Sequence, residues 1–399
     1  MSPPPAGKAG ALATLYGAVV LCLSVWFAGT AAVPVLLAEG LVTSGRAAWL
    51  TTAVQLGFVV GTLVSAVLSL ADRHDPRRLF MACGLLASLA TLAQTLVAPA
   101  GEAALALRFI AGAAMAGVYP VGMKLAASWA RQDIGLLIGL LVGAVTLGSA
   151  LPHLLPGLLG GLGWQGAYLG AGVLAAAGGL LILRFRPGPQ LGARPPFRPA
   201  QALEVWRNKG LRLATLGYLG HMWELYAMWA WIGLFLASVL GGPPGSVGPW
   251  VFAVLGAGAL GCVLAGLLAD RWDRAKVAAL CLLVSGGCAL LIGPAAALAG
   301  PALVLPLALL WGFTVVADSA QFSACTVTLS PPDYVGTMLT VQTSLGFLLT
   351  AVAIGVMPLA VAWFGWAGAF AVLAPGPLLG ALAMWRLSRL QKLMPMPIE

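Results

Sequence analysis

An all-α membrane protein is predicted, with twelve transmembrane helices in two pseudo-symmetric six-helix bundles. Three observations predict it. Of 399 residues, 60% are hydrophobic and only 8% charged, with a mean hydropathy of +0.97, whereas soluble domains carry roughly 25% charged residues. The apolar residues fall into long runs, and a bilayer core of about 30 Å needs roughly 20 of them per helix. Two sequence anchors in the first half of the chain recur in the second.

Apolar runs between Gly, Pro and charge punctuation give spans at 12–37, 47–71, 79–98, 102–126, 134–158, 165–185, 211–239, 248–269, 277–297, 301–325, 335–358 and 366–387. The longest polar stretch, rich in Arg and Pro, separates a first bundle over 1–186 from a second over 211–399, with 187–210 as a cytoplasmic linker. No segments of about ten alternating residues occur, as a β-barrel would need. The fifty-two glycines suit helices whose backbones approach closely. The first span is too long for a cleavable signal peptide. All six cysteines (Cys22, Cys83, Cys262, Cys281, Cys288, Cys325) lie in apolar segments with no C-x-x-C pair, and read as buried free thiols.

The net charge of +9 reflects loops rather than a nucleic-acid surface. With the N-terminus in the cytoplasm, 18 of the 21 Lys and Arg fall in cytoplasmic loops and tails, Arg194 among them. Arg46 lies in an outer loop, and Arg108 and Lys124 lie within a span. That asymmetry places both termini inside.

The repeat is specific. Leu70, Ala71, Asp72, Arg73 and Asp75, after the second span, recur 198 residues later as Leu268, Ala269, Asp270, Arg271 and Asp273, after the eighth. Gly163-Trp164-Gln165-Gly166-Ala167-Tyr168 recurs as Gly365-Trp366-Ala367-Gly368-Ala369-Phe370. Two parallel halves of this kind are a transporter architecture.

Gly266 to Lys276 resembles the major facilitator superfamily signature G-x-L-A-D-R-x-G-R-[RK], found between helices 2 and 3 and again between 8 and 9. The first copy has Leu68 at the glycine position, and Asp75 and Asp273 stand at the second glycine. Arg108-Phe109-Ile110-Ala111-Gly112 resembles the family's R-x-x-x-G motif in helix 4. The resemblance implies the major facilitator fold and a central cavity lined by helices 1, 4, 7 and 10. The fifth span lacks the adjacent Gly-Pro of the superfamily's drug/proton antiporters, and Gly117-Val118-Tyr119-Pro120-Val121-Gly122 is loosely similar to nitrate/nitrite and cyanate-type porters, without the nitrate signature.

A loop aspartate can meet a neighbouring helix N-terminus and pair with Arg, latching one conformation. Asp270 with Arg271, Arg274 and Gly266 is the better copy, and Asp72 with Arg73 the other; a plain solvated loop is the alternative. Ionisable residues inside spans cost about 2.5–3.5 kcal/mol on insertion scales and mark function by default. Glu224 and His221 lie three apart on one face of the seventh span, Asp318 and Gln321 lie three apart on the tenth, and Arg108 and Lys124 lie on the fourth. Trp26 and Tyr119 are candidate cavity walls. Each has a structural alternative: Arg108 and Glu224 pairing with each other, His221 satisfied in the core, Asp318 capping a turn, Lys124 snorkelling, the aromatics packing. His153 reads as structural. No Met-x-x-x-Met pair or partner for His221 at plus four supports copper.

The expected function is secondary active transport of a small solute, anionic or zwitterionic given Arg108 and Lys124, across the inner membrane. The expected mechanism is proton-coupled alternating access, with the solute near the midplane. Glu224, His221 and Asp318 suggest the proton coupling, since histidine titrates near neutrality. Symport fits the fifth span slightly better than export. The alternatives are a drug or metabolite efflux antiporter, a copper importer, or a non-transporting sensor on the same fold. No H-E-x-x-H or G-x-S-x-G constellation supports an enzyme. The partners expected are the solute, protons and membrane lipid, with no cofactor, metal or nucleic acid, for a monomer.

Overall fold

The computed structural model describes residues 7–131, 133–192, 197–243 and 245–393; Arg194 lies outside the described residues. The membrane helices are α1 (Lys8–Ala38), α2 (Ser44–Leu68), α3 (Pro76–Leu96), α4 (Glu102–Ala127), α5 (Ile134–Leu158), α6 (Gln165–Arg184), α7 (Lys209–Leu240), α8 (Gly248–Ala269), α9 (Arg274–Ala299) and α10 (Pro301–Leu329), followed by one apolar stretch, Val335–Lys392. That stretch is broken at Gly365, whose φ of 60° is not helical. It therefore supplies α11 (335–364) and α12 (366–393), giving twelve spans at the positions expected to within a few residues.

The chain divides into two compact units. One runs to residue 194 and includes Gly242–Phe252; the other holds the remainder. The first is built on α1 against α6, α2 against α4 and α3 against α6. The second is built on α7 against α12 and α11, and on α9 against α12 and α10.

The recurring residues explain themselves in the backbone. Gly163 and Gly365, equivalent in the repeat, both take positive φ, 54° and 60°, a region that glycine enters without steric cost. Each turns the chain into the helix that ends its half. Asp75 and Asp273, which replace the signature's second glycine, are the N-caps of α3 and α9. Asp75 accepts from the Arg77 N–H at 2.9 Å, and Asp273 from the Ala275 N–H at 2.9 Å. Such caps satisfy backbone donors that have no helical partner.

Close glycine crossings repeat as well. A Cβ on Gly57 of α2 would overlap the Phe109 carbonyl of α4, and one on Gly112 would overlap the Val54 carbonyl. In the second unit, Gly261 of α8 meets the Phe313 carbonyl of α10 in the same way, and Gly312 meets that of Val254. Small residues are needed at these four positions because backbone packs on backbone.

Both crossing helices are interrupted. α4 consists of Glu102–Met115 and Tyr119–Ala127, and α10 of Pro301–Val315 and Ser319–Leu329. The breaks coincide in the repeat, 200 residues apart. They tighten into three-residue turns, with Val118 N–H donating to Met115 O at 3.0 Å and Ser319 N–H to Val316 O at 3.1 Å. Interrupted helices in corresponding halves are the feature of transporter folds that lies at substrate sites.

Candidate functional site

The α10 break carries the second unit's titratable cluster. Asp318 occupies the N-cap position of the second α10 segment, and its side chain makes no capping bond. It turns instead to α7, where His221 Nδ1 lies 2.9 Å from Asp318 Oδ1. This is ion-pair distance without the alignment of a good hydrogen bond. Both residues are buried. Tyr218 and Phe322 wall the imidazole, with ring centroids 6.1 and 5.3 Å away. Its Nε2 is buried with no hydrogen-bond partner among the described residues. Gln321, also buried, follows in the next turn, its N–H donating to Asp318 O at 2.8 Å.

Glu224 is one helical turn along α7 from His221 but engages different neighbours. Its Oε2 accepts from Ser285 Oγ of α9 at 2.6 Å, and its Oε1 from Trp311 Nε1 of α10 at 2.7 Å. It is fully buried and has no cation beside it among the described contacts. Two hydrogen bonds offset part of the cost of burying the carboxylate. Ser285 and Trp311 were not anticipated. A serine and a tryptophan inside apolar runs were the available signal.

In the first unit, the cations of α4 are both engaged. Arg108 is fully buried and donates to three backbone carbonyls: Nη1 to Val25 O at 2.9 Å, Nη2 to Trp26 O at 2.6 Å and Nε to Leu50 O at 3.2 Å. The guanidinium fork thus ties α4 to α1 and α2, and Gly29 leaves room for it beside Tyr168. The described partners of Arg108 and of Glu224 lie each within its own unit. Trp26 packs on Phe58 with ring centroids 4.9 Å apart. Tyr119 is half-buried and opens the second segment of α4.

Lys124 does not snorkel to solvent. Its Nζ lies 2.5 Å from Asp72 Oδ1 and donates to Ala71 O at 2.7 Å. The first signature copy, which matches the consensus less well, therefore holds the ion pair with a membrane helix. In the second copy, Asp270 is half-exposed, and its ion-pair partner among the described residues is Arg274, one turn on, at 3.4 Å. Arg73 and Arg271 are exposed, and a Cβ at Gly266 would meet no atom within 4 Å.

Two buried amides also escaped the sequence reading. Neither Oε1 nor Nε2 of Gln55 on α2 has a partner among the described residues, nor has Nε2 of Gln342 on α11. A polar residue inside an apolar run was the signal for both. His153 is buried, and its Nε2 has no hydrogen-bond partner among the described residues. No group of three His, Cys, Asp or Glu able to hold a metal occurs among the described residues.

Twelve apolar helices among the described residues, in two repeated halves, with an interrupted helix in each half and a buried ionisable pair at the α10 break, define a polytopic membrane transport protein. Comparison with known families and structures narrows the class. The Major Facilitator Superfamily model matches residues 14–354, and the chain belongs to that superfamily. Among solved structures, it is similar to a bacterial homolog of the human lysosomal transporter Spinster, captured inward-facing and unoccupied, with a TM-score of 0.68 and 16% identity over 98% of this chain and 97% of that one. It is also similar to the human organic anion transporter MFSD10 (TETRAN), with a TM-score of 0.65 and 17% identity over 96% and 100% of the two chains. No curated protein matches the sequence.

Proposed function

We propose that this chain is a secondary active transporter that moves a small anionic or zwitterionic solute together with protons. It would work by alternating access in the inner membrane, with both termini cytoplasmic. The observation that carries this reading is the His221–Asp318 pair at the α10 break, with Nε2 left without a hydrogen-bond partner among the described residues. Because Nδ1 faces the carboxylate, it holds the proton of the neutral ring. A second proton goes to Nε2 and converts an acceptor into a donor. That proton also neutralises the net negative charge of the pair. A solute oxygen can then accept from Nε2–H, so proton and solute enter the site together. Tyr218, on the same helix, Asp318 of α10, Glu224, and Cys281 and Cys288 of α9 are the other ionisable groups of this region. Glu224 is a second group able to take a proton within the same bundle.

Arg108 and Lys124 suggested an anion from the sequence, but their hydrogen bonds are occupied within their own unit. The sign of the solute therefore rests on the imidazole N–H. The name of MFSD10, an organic anion transporter, points the same way through a likeness of fold.

The test is the pH dependence of binding. A thermal-shift screen of anions, amino acids, vitamins, metals and drugs identifies a ligand, whose affinity is then measured from about pH 5 to 8. Affinity should strengthen as pH falls in the wild type and lose that dependence in His221→Asn. A flat wild-type profile, or a cationic ligand, contradicts the proposal.

A further inference from the structure

A second site lies in the second unit, away from the titratable cluster. α7, α11 and α12 enclose an open groove of about 570 Å³ lined by residues that include Leu216, Trp223, Leu349, Leu379, Leu382 and Arg386. The crossing that forms its floor is close, because Gly220 of α7 lies against the backbone of Gly376 and Gly380 of α12. At its far end the Trp223 indole donates to Val372 O at 3.2 Å.

The length of the groove is informative. It runs along α7 from Leu213 to Trp223 and along α12 from Pro375 to Arg386. At 1.5 Å per residue these stretches are about 15 and 16 Å long, and half of a hydrocarbon core is about 15 Å. The groove therefore spans one leaflet. Its charge lies at one end only, where exposed Arg386 lines it and exposed Arg212 adjoins it on α7. At the same end Arg389 stacks on the half-exposed Trp385, with Cζ 5.8 Å from the ring centroid. A tryptophan there marks the headgroup level. A long apolar channel that ends in clustered arginines at the interface matches one ligand chemistry, an acyl chain joined to an anionic phosphate.

We infer that the α7–α11–α12 groove is a binding site for one anionic phospholipid of the leaflet on the basic side. Its acyl chain would lie along Leu216, Leu379 and Leu382, and its phosphate against Arg386. Arg212 sits within reach of the same headgroup region.

The experiment uses the full chain in detergent micelles. It is titrated with phosphatidylglycerol, with phosphatidylcholine of the same acyl chains, and with glycerol 3-phosphate. Bound lipid is counted by native mass spectrometry and stability is read as Tm. Phosphatidylglycerol should bind as one copy and raise Tm more than phosphatidylcholine does, and glycerol 3-phosphate should do neither. Arg386→Gln should weaken phosphatidylglycerol about fivefold and abolish the preference. Leu379 is 67% exposed, so Leu379→Trp is compatible with folding, and it should obstruct both lipids. Equal binding of the two lipids, a preference retained in Arg386→Gln, unchanged binding in Leu379→Trp, or a shift from glycerol 3-phosphate alone would each overturn the assignment.

Discussion

Lys124, near the end of α4, and Asp72, in the loop after α2, form an ion pair at 2.5 Å, with Lys124 shielded from solvent and Asp72 a quarter exposed. The pair joins the signature loop to a membrane helix within one bundle. Removing Asp72 leaves a mostly buried ammonium with the Ala71 carbonyl as its described partner, whereas removing Asp270 frees a partly exposed arginine. Breaking a partly buried pair costs far more than breaking a surface pair, which contributes about 0–1 kcal/mol.

Asp72→Asn should therefore slow transport in proteoliposomes and lower Tm more than Asp270→Asn does. The better consensus match of the second copy would suggest the reverse order. Initial uptake rates and melting curves of the two variants decide it, and a larger defect in Asp270→Asn would return the latch to the second copy.

Arg108 is the next test. Three carbonyls on two helices accept from its fork, and hydrogen bonds to a charged group contribute about 1.5–3 kcal/mol each when measured by deletion. Lysine keeps the charge but cannot reproduce the fork. Arg108→Lys should lower Tm markedly, with a destabilisation of about 2–4 kcal/mol, while solute affinity per folded molecule changes little. A normal Tm combined with lost binding would make Arg108 a ligand for the solute.

Asp75 gives a pH-dependent prediction outside the spans. The Arg77 side chain hydrogen-bonded to it, at 2.8 and 3.2 Å, holds its carboxyl below the usual aspartate range, against a smaller opposing effect of burial. The folded pKa is the lower one. The contribution to stability is therefore complete above the unfolded value of about 3.9 and is lost as pH falls through the folded value. Asp75→Asn keeps the cap and removes the ion pair, so wild type should exceed it by about 0.5–1 kcal/mol near pH 6. The two should converge towards pH 3. A gap in Tm that does not depend on pH would contradict this.

The sequence carried the fold further than it carried the site. The bilayer imposes a length on each apolar run, so the span positions were readable, and so was the duplication, because Gly163 and Gly365 serve the same backbone turn. His221, Glu224 and Asp318 stood out because ionisable residues are costly inside a membrane. Their partners did not. Carbonyls accept from Arg108 without leaving any mark in side-chain identity. The Lys124–Asp72 contact spans 52 residues and exists only once α2 and α4 cross at their glycines. Ser285 and Trp311 are common residues in membrane helices, and only the fold turns them towards Glu224.

Proton coupling through the α10 break is the central claim, and uphill transport tests it most directly. Purified protein is reconstituted into liposomes with an imposed pH gradient. Accumulation of the solute above equilibrium is measured for wild type, Asp318→Asn and Glu224→Gln, and equal-concentration exchange is followed in parallel. Asn at 318 can still face His221, and Gln at 224 can still accept from Trp311, so both variants should fold and exchange solute. Exchange needs binding and the conformational cycle but no net proton release. The result predicted is full uphill accumulation by wild type and loss of it in Asp318→Asn with exchange retained; Glu224→Gln should fall between the two. Wild-type accumulation by Asp318→Asn, with the pH gradient intact, would contradict the claim.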